Sequence, residues 1–459
     1  MSHMLSQSSS PLRRLYEPGA YQTAELPRSF WADSVGTLPA CQALPASGDL
    51  KTDIAIIGGG YTGLSAALRL AQSGRSVSVF DAGRPGWGAS GRNGGFCCLG
   101  GSMLSWGNLA KRFGDDASRQ FARHQLAAID LVDHRIANWQ ADVDRHSDGE
   151  MVLAHKAGRI RDLHEEAREL THFAGIKSTF HTVESLQEQG MNANGIAGGL
   201  HVKAGFGLHP FKYLAALHKA CLAAGVQIFE QAEIHHIEES TNNVTLISGD
   251  CQITADQAIL ATNGYSAENM PQWLAGKLLP VISGILVTRP LNDSEQREQG
   301  WTSNMMAYDT RVLLHYFRKL PDGRFMFGGR GGLDATPDGQ QKARAVLIDE
   351  FHAMFPAWRD IDITHHWNGL ACLSQSYRPF VGQVNGYQRL WASIAYHGNG
   401  VAMASYAGDL LARKITGNVT MSDIGPVMGL PPKRFPLSGL RRQYRWLAYC
   451  AYGFYDRFL

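Results

Sequence analysis

Along this chain the period of the apolar positions switches repeatedly between values suited to strands and to helices. Ile54, Ala55, Ile56 and Ile57 form an unbroken apolar run suited to a central parallel strand, and Leu64, Ala67, Leu68 and Ala71 follow at helical spacing. Residues 76–80 alternate like a second strand. From 106 to 143, Leu109, Phe113, Ala117, Phe121, Leu126, Ile129, Val132 and Ile136 recur mostly at three- and four-residue steps, which predicts helix. A strand over 149–154, a helix over 160–173, a helix over 211–224 and a strand over 226–230 come next. Residues 234–239 and 244–248 read as a hairpin around Thr241-Asn242-Asn243, and residues 257–265 as an apolar strand stopping at a small polar turn. Alternating segments at 281–288, 312–317 and 324–328 predict an antiparallel sheet, and residues 390–395 a last strand entering a helix rich in Ala402, Ala404 and Ala407.

Between the first strand and helix lies G-x-G-x-x-G as Gly58, Gly60 and Gly63. The first glycine permits a tight turn, the second lets amides reach a pyrophosphate, and the third lets helix and strand pack closely. Asp81 ends the second strand 18 positions past Gly63, where an acid can take an adenosine ribose. Residues 83–96 then form a second backbone-exposing loop through Gly83, Pro85, Gly86, Gly88, Gly91, Gly94 and Gly95, to which Ser90, Arg92 and Asn93 add a hydroxyl, a cation and an amide. Tyr316, Arg318 and Arg330, on the predicted antiparallel sheet, either face a bound carboxylate-bearing molecule or form a solvated strand face. His209 reads as a helix-entry cap and Cys372 as a buried apolar thiol.

Length and composition narrow the class. A chain of 459 residues with 43 basic and 41 acidic residues implies more than one interlocked domain and gives no field that would attract nucleic acid. Seven scattered cysteines without metal-ligand spacing suit reduced thiols and a cytoplasmic location, with no metal expected. The opening Met1-Ser2-His3-Met4 reads as an expression scar, and no apolar run is long enough to span a membrane. Residues 11–50, proline- and aromatic-rich, read as an arm laid over the body, either plain surface packing or part of the active-site mouth. The tail from 431 to 459 combines Lys433, Arg434, Arg441, Arg442, Arg445 and Arg457 with Tyr444, Trp446, Leu447, Tyr449, Tyr452, Phe454 and Tyr455. Such a segment packs on its own protein or a second subunit, or else lies on an anionic membrane.

The pair G-G-G-Y-T-G at 58–63 and G-A-S-G-R-N-G-G at 88–95 resembles the FAD-dependent D-amino-acid oxidase superfamily, especially the branch containing gamma-glutamylputrescine oxidoreductase, with sarcosine and glycine oxidases more distant. The resemblance implies an α/β fold: a Rossmann-like FAD-binding domain (GR2-type) interleaved with an α+β substrate domain built on an antiparallel sheet. The expected divisions are an arm over 1–50, the FAD domain over 51–105, 200–275 and 365–420, the substrate domain over 106–199 and 276–364, and a tail over 421–459. It also implies FAD as cofactor, held by Gly58, Gly60, Tyr61, Thr62, Gly63, Asp81, Ala82, Gly88, Ala89, Ser90, Arg92, Asn93, Gly94, Gly95, Ile234, Ala261, Thr262, Asn263, Gly398, Asn399, Gly400 and Val401. The turn His397-Gly398-Asn399-Gly400-Val401 matches the family's turn, whose amides and helix dipole would stabilise charge on a reduced flavin. Some relatives attach FAD through a cysteine near Cys372, although no local motif fixes that alignment.

The implied reaction is oxidation of an amine or amino acid at the C–H bond beside nitrogen to an imine, hydrolysed afterwards, with O2 or another carrier as acceptor. His397, Tyr316 and Trp367 are the expected pocket groups and Arg318 and Arg330 the expected substrate cations. Two other readings stand beside it: a membrane-associated dehydrogenase passing electrons to quinone, and a non-catalytic FAD-binding protein. An oligomer fits any of them.

Overall fold

A computed structural model describes residues 11–36, 38–444, 446, 449 and 456, so the opening Met1–Ser10 segment and the tail residues Arg445, Leu447, Tyr452, Phe454, Tyr455 and Arg457 lie outside the described residues. Two large sheets carry the fold. Among the described residues the first has nine strands, its core running Gln227–Glu230, Val77–Phe80, Ser47–Ile57, Asp250–Leu260 and Leu390–Ile394, all parallel to their neighbours. Ser47–Ile57 begins earlier than the apolar run because Asp250–Ala255 pairs with its polar first half, from Asp250 opposite Ser47 onward. The hairpin His236–Glu239 with Val244–Ser248 extends this sheet antiparallel, as its turn residues predict.

The sheet is buried on both faces. Ile54, Ile56, Val79 and Ile259 pack beneath helices Tyr61–Gln72 and Gly400–Ile415, while Ala55, Ile57, Phe80 and Leu260 join the opposite layer with Leu246 and Leu278. Gly408 lets the two helices touch: a Cβ there would lie 2.2 Å from the Thr62 carbonyl oxygen. The helix expected over 106–143 is two, Trp106–Phe113 and Asp115–Trp139, broken at Gly114 with φ +86°. That over 160–173 is Ile160–Glu169 followed by one π turn.

The second sheet has eight strands in the order Ile363–Ser374, Leu278–Thr288, Phe325–Arg330, Tyr316–Lys319, Met306–Asp309, Glu150–Ala154, Gly198–Val202 and Ser178–His181. Neighbours are antiparallel except Met306–Asp309 beside Glu150–Ala154, where segments far apart in sequence meet in parallel. The divisions expected at residues 200 and 365 fall inside strands of this sheet, Gly198–Val202 and Ile363–Ser374.

The arm is more structured than its composition predicts. Ser29 caps a helix, Phe30–Val35, and Trp31 is buried with its indole N–H donating to the Asn93 carbonyl at 2.9 Å. At the other end, Arg441 is buried, donates to the Leu278 carbonyl and pairs with Glu268, and Arg442 pairs with Glu17. The described part of the tail therefore packs on the body. Among the described residues no helix is long and apolar enough to cross a membrane, and no cluster of metal-ligating side chains occurs.

Candidate active site

One cavity of about 500 Å3 runs between the two sheets. The glycine turn after Ser47–Ile57 forms one part of its wall. Gly58 adopts φ +107°, and a Cβ there would lie 2.9 Å from the Ala261 carbonyl oxygen, so the turn takes no larger residue without displacing the next strand. Gly60 begins the Tyr61–Gln72 helix without a side-chain cap, and Ser90 Oγ accepts from the Tyr61 amide at 3.0 Å. Gly63 does not line the cavity; its bare Cα allows the Gly58 carbonyl oxygen within 1.9 Å of where a Cβ would stand.

Asp81 is buried on the cavity wall, accepting from the Gly59 amide at 2.6 Å, the Gly83 amide at 2.9 Å and the Trp87 indole at 2.5 Å. Burial raises its carboxyl above the ordinary range, against the pull of those donors. Ala82, Gly88, Ala89, Ser90, Arg92, Asn93 and Gly94 continue the wall. Asn93 is consumed in shaping this loop, its side chain bonding Ala89, Ser90 and Gly95 backbone, and Arg92 reaches the Trp87 and Asn368 carbonyls. Gly95, like Gly63, lies behind the surface, where a Cβ would stand 2.0 Å from the Leu208 carbonyl oxygen. Ile234 forms one end of the cavity, beside Glu233, which pairs with Arg14 of the arm. Ala261, Thr262 and Asn263 line its middle, and Asn263 Oδ1 accepts from the Ala395 amide at 2.8 Å.

Gly398, Asn399, Gly400 and Val401 bring a second helix N-terminus to the wall, again without a side-chain cap. Amides of an uncapped first turn favour an anion. Asn399 instead ties the turn down, donating to the Leu99 carbonyl at 3.0 Å. His397 also lines the cavity, but both ring nitrogens are engaged: Nε2 accepts from the Ser374 amide at 3.1 Å and Nδ1 donates to the Gly101 carbonyl at 3.0 Å. Burial lowers its pKa to about 4. The imidazole is thus a neutral latch that holds the turn while lining the cavity.

The second sheet supplies the facing wall. Tyr308 lies opposite Tyr316, and Tyr316 opposite Gly328; Arg330, two residues on, lies opposite Ser283, itself opposite Gly369. Tyr308 also pairs with Val152, two residues past Glu150. Because alternate residues share a face, Glu150, Tyr308, Tyr316, Arg330, Ser283 and Gly369 form one surface, and all six line the cavity. Met151, Leu153, Ala307, Phe317 and Phe327 face the other way, under Leu347, Phe351 and Met354 of helix Pro337–Met354. Tyr316 Oη pairs with Ser283 Oγ at 2.9 Å, and burial raises its phenol to about 12. Arg330 donates to Glu350 at 2.7 Å, the outer member of a network in which His315 bridges Glu350 and Asp309. Burial alone would raise both carboxyls and lower the imidazole; the hydrogen bonds and charges within the network prevail, leaving Asp309 and Glu350 lowered and His315 raised.

Two expected residues are absent from this wall. Arg318 is 1% exposed and donates to the carbonyls of Gly94 at 3.0 Å and Leu208 at 2.7 Å, with His146 Nε2 at 2.8 Å. It buttresses the loop from behind. Trp367 is likewise buried, its indole donating to the Arg92 carbonyl at 2.8 Å, so neither meets a molecule in the cavity. His209 is the helix cap that its position predicts, Nδ1 accepting from the Lys212 amide at 3.2 Å. Cys372 is a buried free thiol on the wall, raised by desolvation. Glu150 was not anticipated: it is 3% exposed, and its Oε2 has no hydrogen-bond partner.

A parallel sheet that presents a glycine turn and two helix N-termini to one cavity is the arrangement of a dinucleotide-binding enzyme. Residues 53–414 match the family of FAD dependent oxidoreductases known as DAO, and the chain belongs to that family. It is 29% identical over 402 residues to a probable oxidoreductase, OrdL, of Haemophilus influenzae, covering 87% of this chain and 90% of that one. It is 26% identical over 408 residues to gamma-glutamylputrescine oxidoreductase of Escherichia coli, covering 89% and 93% respectively. The fold resembles that of a glycine oxidase from Bacillus cereus with TM-score 0.66 at 18% identity, over 83% of this chain and all of that one. The protein is an FAD-dependent oxidoreductase, and the cradle at Gly58, Gly60 and Gly398–Val401 fits that cofactor's charged and oxidised groups.

Proposed function

We propose that this enzyme oxidises an amine or amino acid at the C–H bond beside nitrogen, yielding an imine that water hydrolyses, with dioxygen as acceptor and hydrogen peroxide as product. Gamma-glutamylputrescine or a related amine is the substrate best matched to its relatives. FAD, when bound, supplies the acceptor for the hydride. The chain's own residues position the reactants. Loops at 58–63, 88–95 and 397–401 would hold the cofactor, and Tyr308, Tyr316 and Arg330 would place the substrate against it.

The observation that carries this reading is that the cofactor loops and one polar sheet face line the same cavity. Arg330, paired with Glu350, would offer its remaining donors there to a substrate carboxylate. Anaerobic mixing with gamma-glutamylputrescine, putrescine, sarcosine, glycine and D- and L-amino acids tests it. At least one should bleach the oxidised flavin band within seconds, and air should restore the band with stoichiometric peroxide. Failure of every member to reduce the flavin refutes amine oxidation; reduction without reoxidation by air refutes the oxidase assignment.

A further inference from the structure

Glu150 starts the strand Glu150–Ala154 just after Gly149, where φ +84° turns the chain. The carboxyl group enters a space built by remote segments: the Cys98 thiol from the loop after the second cofactor motif, Tyr308 from the neighbouring strand, and Glu166 from helix Ile160–Glu169. With Cys97, next to Cys98, these are the titratable groups that act on it, and none is a cation. Cys98 is itself held by Asn399, with Sγ to Oδ1 at 3.7 Å, so the acid adjoins the turn at the N-terminus of Gly400–Ile415. Cys98, Glu150, Tyr308 and Asn399 all line the same cavity. A carboxylate buried with an unused oxygen and no counter-ion is costly unless a ligand brings one.

We infer that Glu150 is a catalytic residue that binds the substrate as an ammonium ion and takes its proton. This deepens the amine-oxidation reading and rests on it. An N–H bond of the ammonium breaks as an O–H bond forms on Glu150 Oε2, and the nitrogen keeps the electron pair. The freed nitrogen pair can then close the C=N bond as the adjacent C–H bond breaks with loss of hydride, for which FAD, when bound, would supply the two-electron acceptor. The preferred substrate class is therefore an aliphatic amine that is cationic in water, with Arg330, already paired with Glu350, the cation that a carboxylate elsewhere on it would meet.

The geometry makes a specific pH signature. Burial, with the charge of Glu166, raises the Glu150 carboxyl to about 8, while Cys98 pulls the other way. The reactive complex needs one proton shared between carboxylate and amine. Its formation from ionised Glu150 and an ammonium near pKa 10.4 gives a bell for the apparent second-order rate of flavin reduction, rising to about 8 and falling above about 10. The test uses stopped-flow reduction of the FAD-loaded enzyme between pH 6 and 11 by whichever amine reduces the wild type fastest. In Glu150→Gln only free neutral amine reacts. The rate should drop about 100-fold at pH 8, recover about tenfold per pH unit, and lose its alkaline fall. Glu150→Asp should keep the bell at reduced height, which separates chemistry from folding. A Gln variant with the wild-type bell overturns the inference while leaving amine oxidation intact; a wild type reduced by no amine overturns both.

Discussion

Substituting Gly63 by alanine tests whether the glycine turn works by bringing helix and strand together. A Cβ at residue 63 would stand 1.9 Å from the Gly58 carbonyl oxygen and 3.2 Å from Ile56 Cγ2. Carbon and carbonyl oxygen do not settle below about 3 Å, so the helix must withdraw from the strand by about 1 Å. Ile56 belongs to the core of the parallel sheet and is fully buried, and the Gly58 carbonyl is backbone of the turn that follows it, so no flexible side chain end absorbs the shift. Overpacking of this kind costs about 1–3 kcal/mol. The same displacement carries the first-turn amides away from the cofactor. If the lost interactions match the strain, FAD affinity falls about 10- to 100-fold, since about 1.4 kcal/mol is one decade. The assay is titration of apo-protein with FAD, followed by flavin fluorescence quenching, beside a thermal melt. Gly158→Ala is the control, because nothing lies within 4 Å of a Cβ there. A Gly63→Ala protein with unchanged FAD affinity and melting temperature would refute the close-packing argument.

Arg318→Met should destabilise the protein by about 3 kcal/mol, from loss of charge-assisted bonds to the Gly94 and Leu208 carbonyls, and lower flavin content. The relative rates of carboxylate-bearing and carboxylate-free amines should not change, as measured by steady-state kinetics; a selective loss of carboxylate substrates would return Arg318 to the substrate site. Trp367→Phe, which removes only the donor to the Arg92 carbonyl, should cost about 1 kcal/mol in a denaturant melt and leave the pH profile in place. His315→Gln should lower the melting temperature most between about pH 4.3 and 6.5. The raised His315 contributes fully below its unfolded value of about 6.5 and loses that contribution as pH climbs through its folded value. The lowered Asp309 and Glu350 contribute fully above about 4.3 and lose it as pH falls through theirs. A gap in melting temperature that is flat from pH 4 to 9 would contradict the network.

The wall that would hold the cofactor was legible where it is bare backbone. Gly58, Gly60, Gly88 and Gly94 line the cavity without side chains, and a lack of side chain is visible in sequence. Gly63 is the helix–strand spacer that its place in the motif predicts, and Gly95, the last glycine of the second loop, likewise stands one layer back against a carbonyl oxygen. Side chains on the second sheet were harder to place. Residue type located Tyr316, Arg318 and Trp367 near the cofactor loops, but type does not say which group a long side chain will reach. Arg318 found two carbonyls and Trp367 a third, each in a loop distant in sequence. His397 was found at its turn; its engaged nitrogens depend on Gly101 and Ser374, which no local pattern joins to it.

Glu150 shows the converse difficulty. An acid at the entry of a short strand reads as an ordinary solvated end, and nothing between Gly149 and Ala154 marks it as buried. Its burial comes from pairing: Met306–Asp309 aligns in parallel beside it and supplies Tyr308, while Cys98 and Glu166 close over it from elsewhere. The same sheet face that carries Arg330 at one side thus carries an unpaired acid at the other. If Glu150 takes the amine proton as proposed, a carboxylate on the same substrate would meet Arg330, beside Glu350, at a separate point of that face.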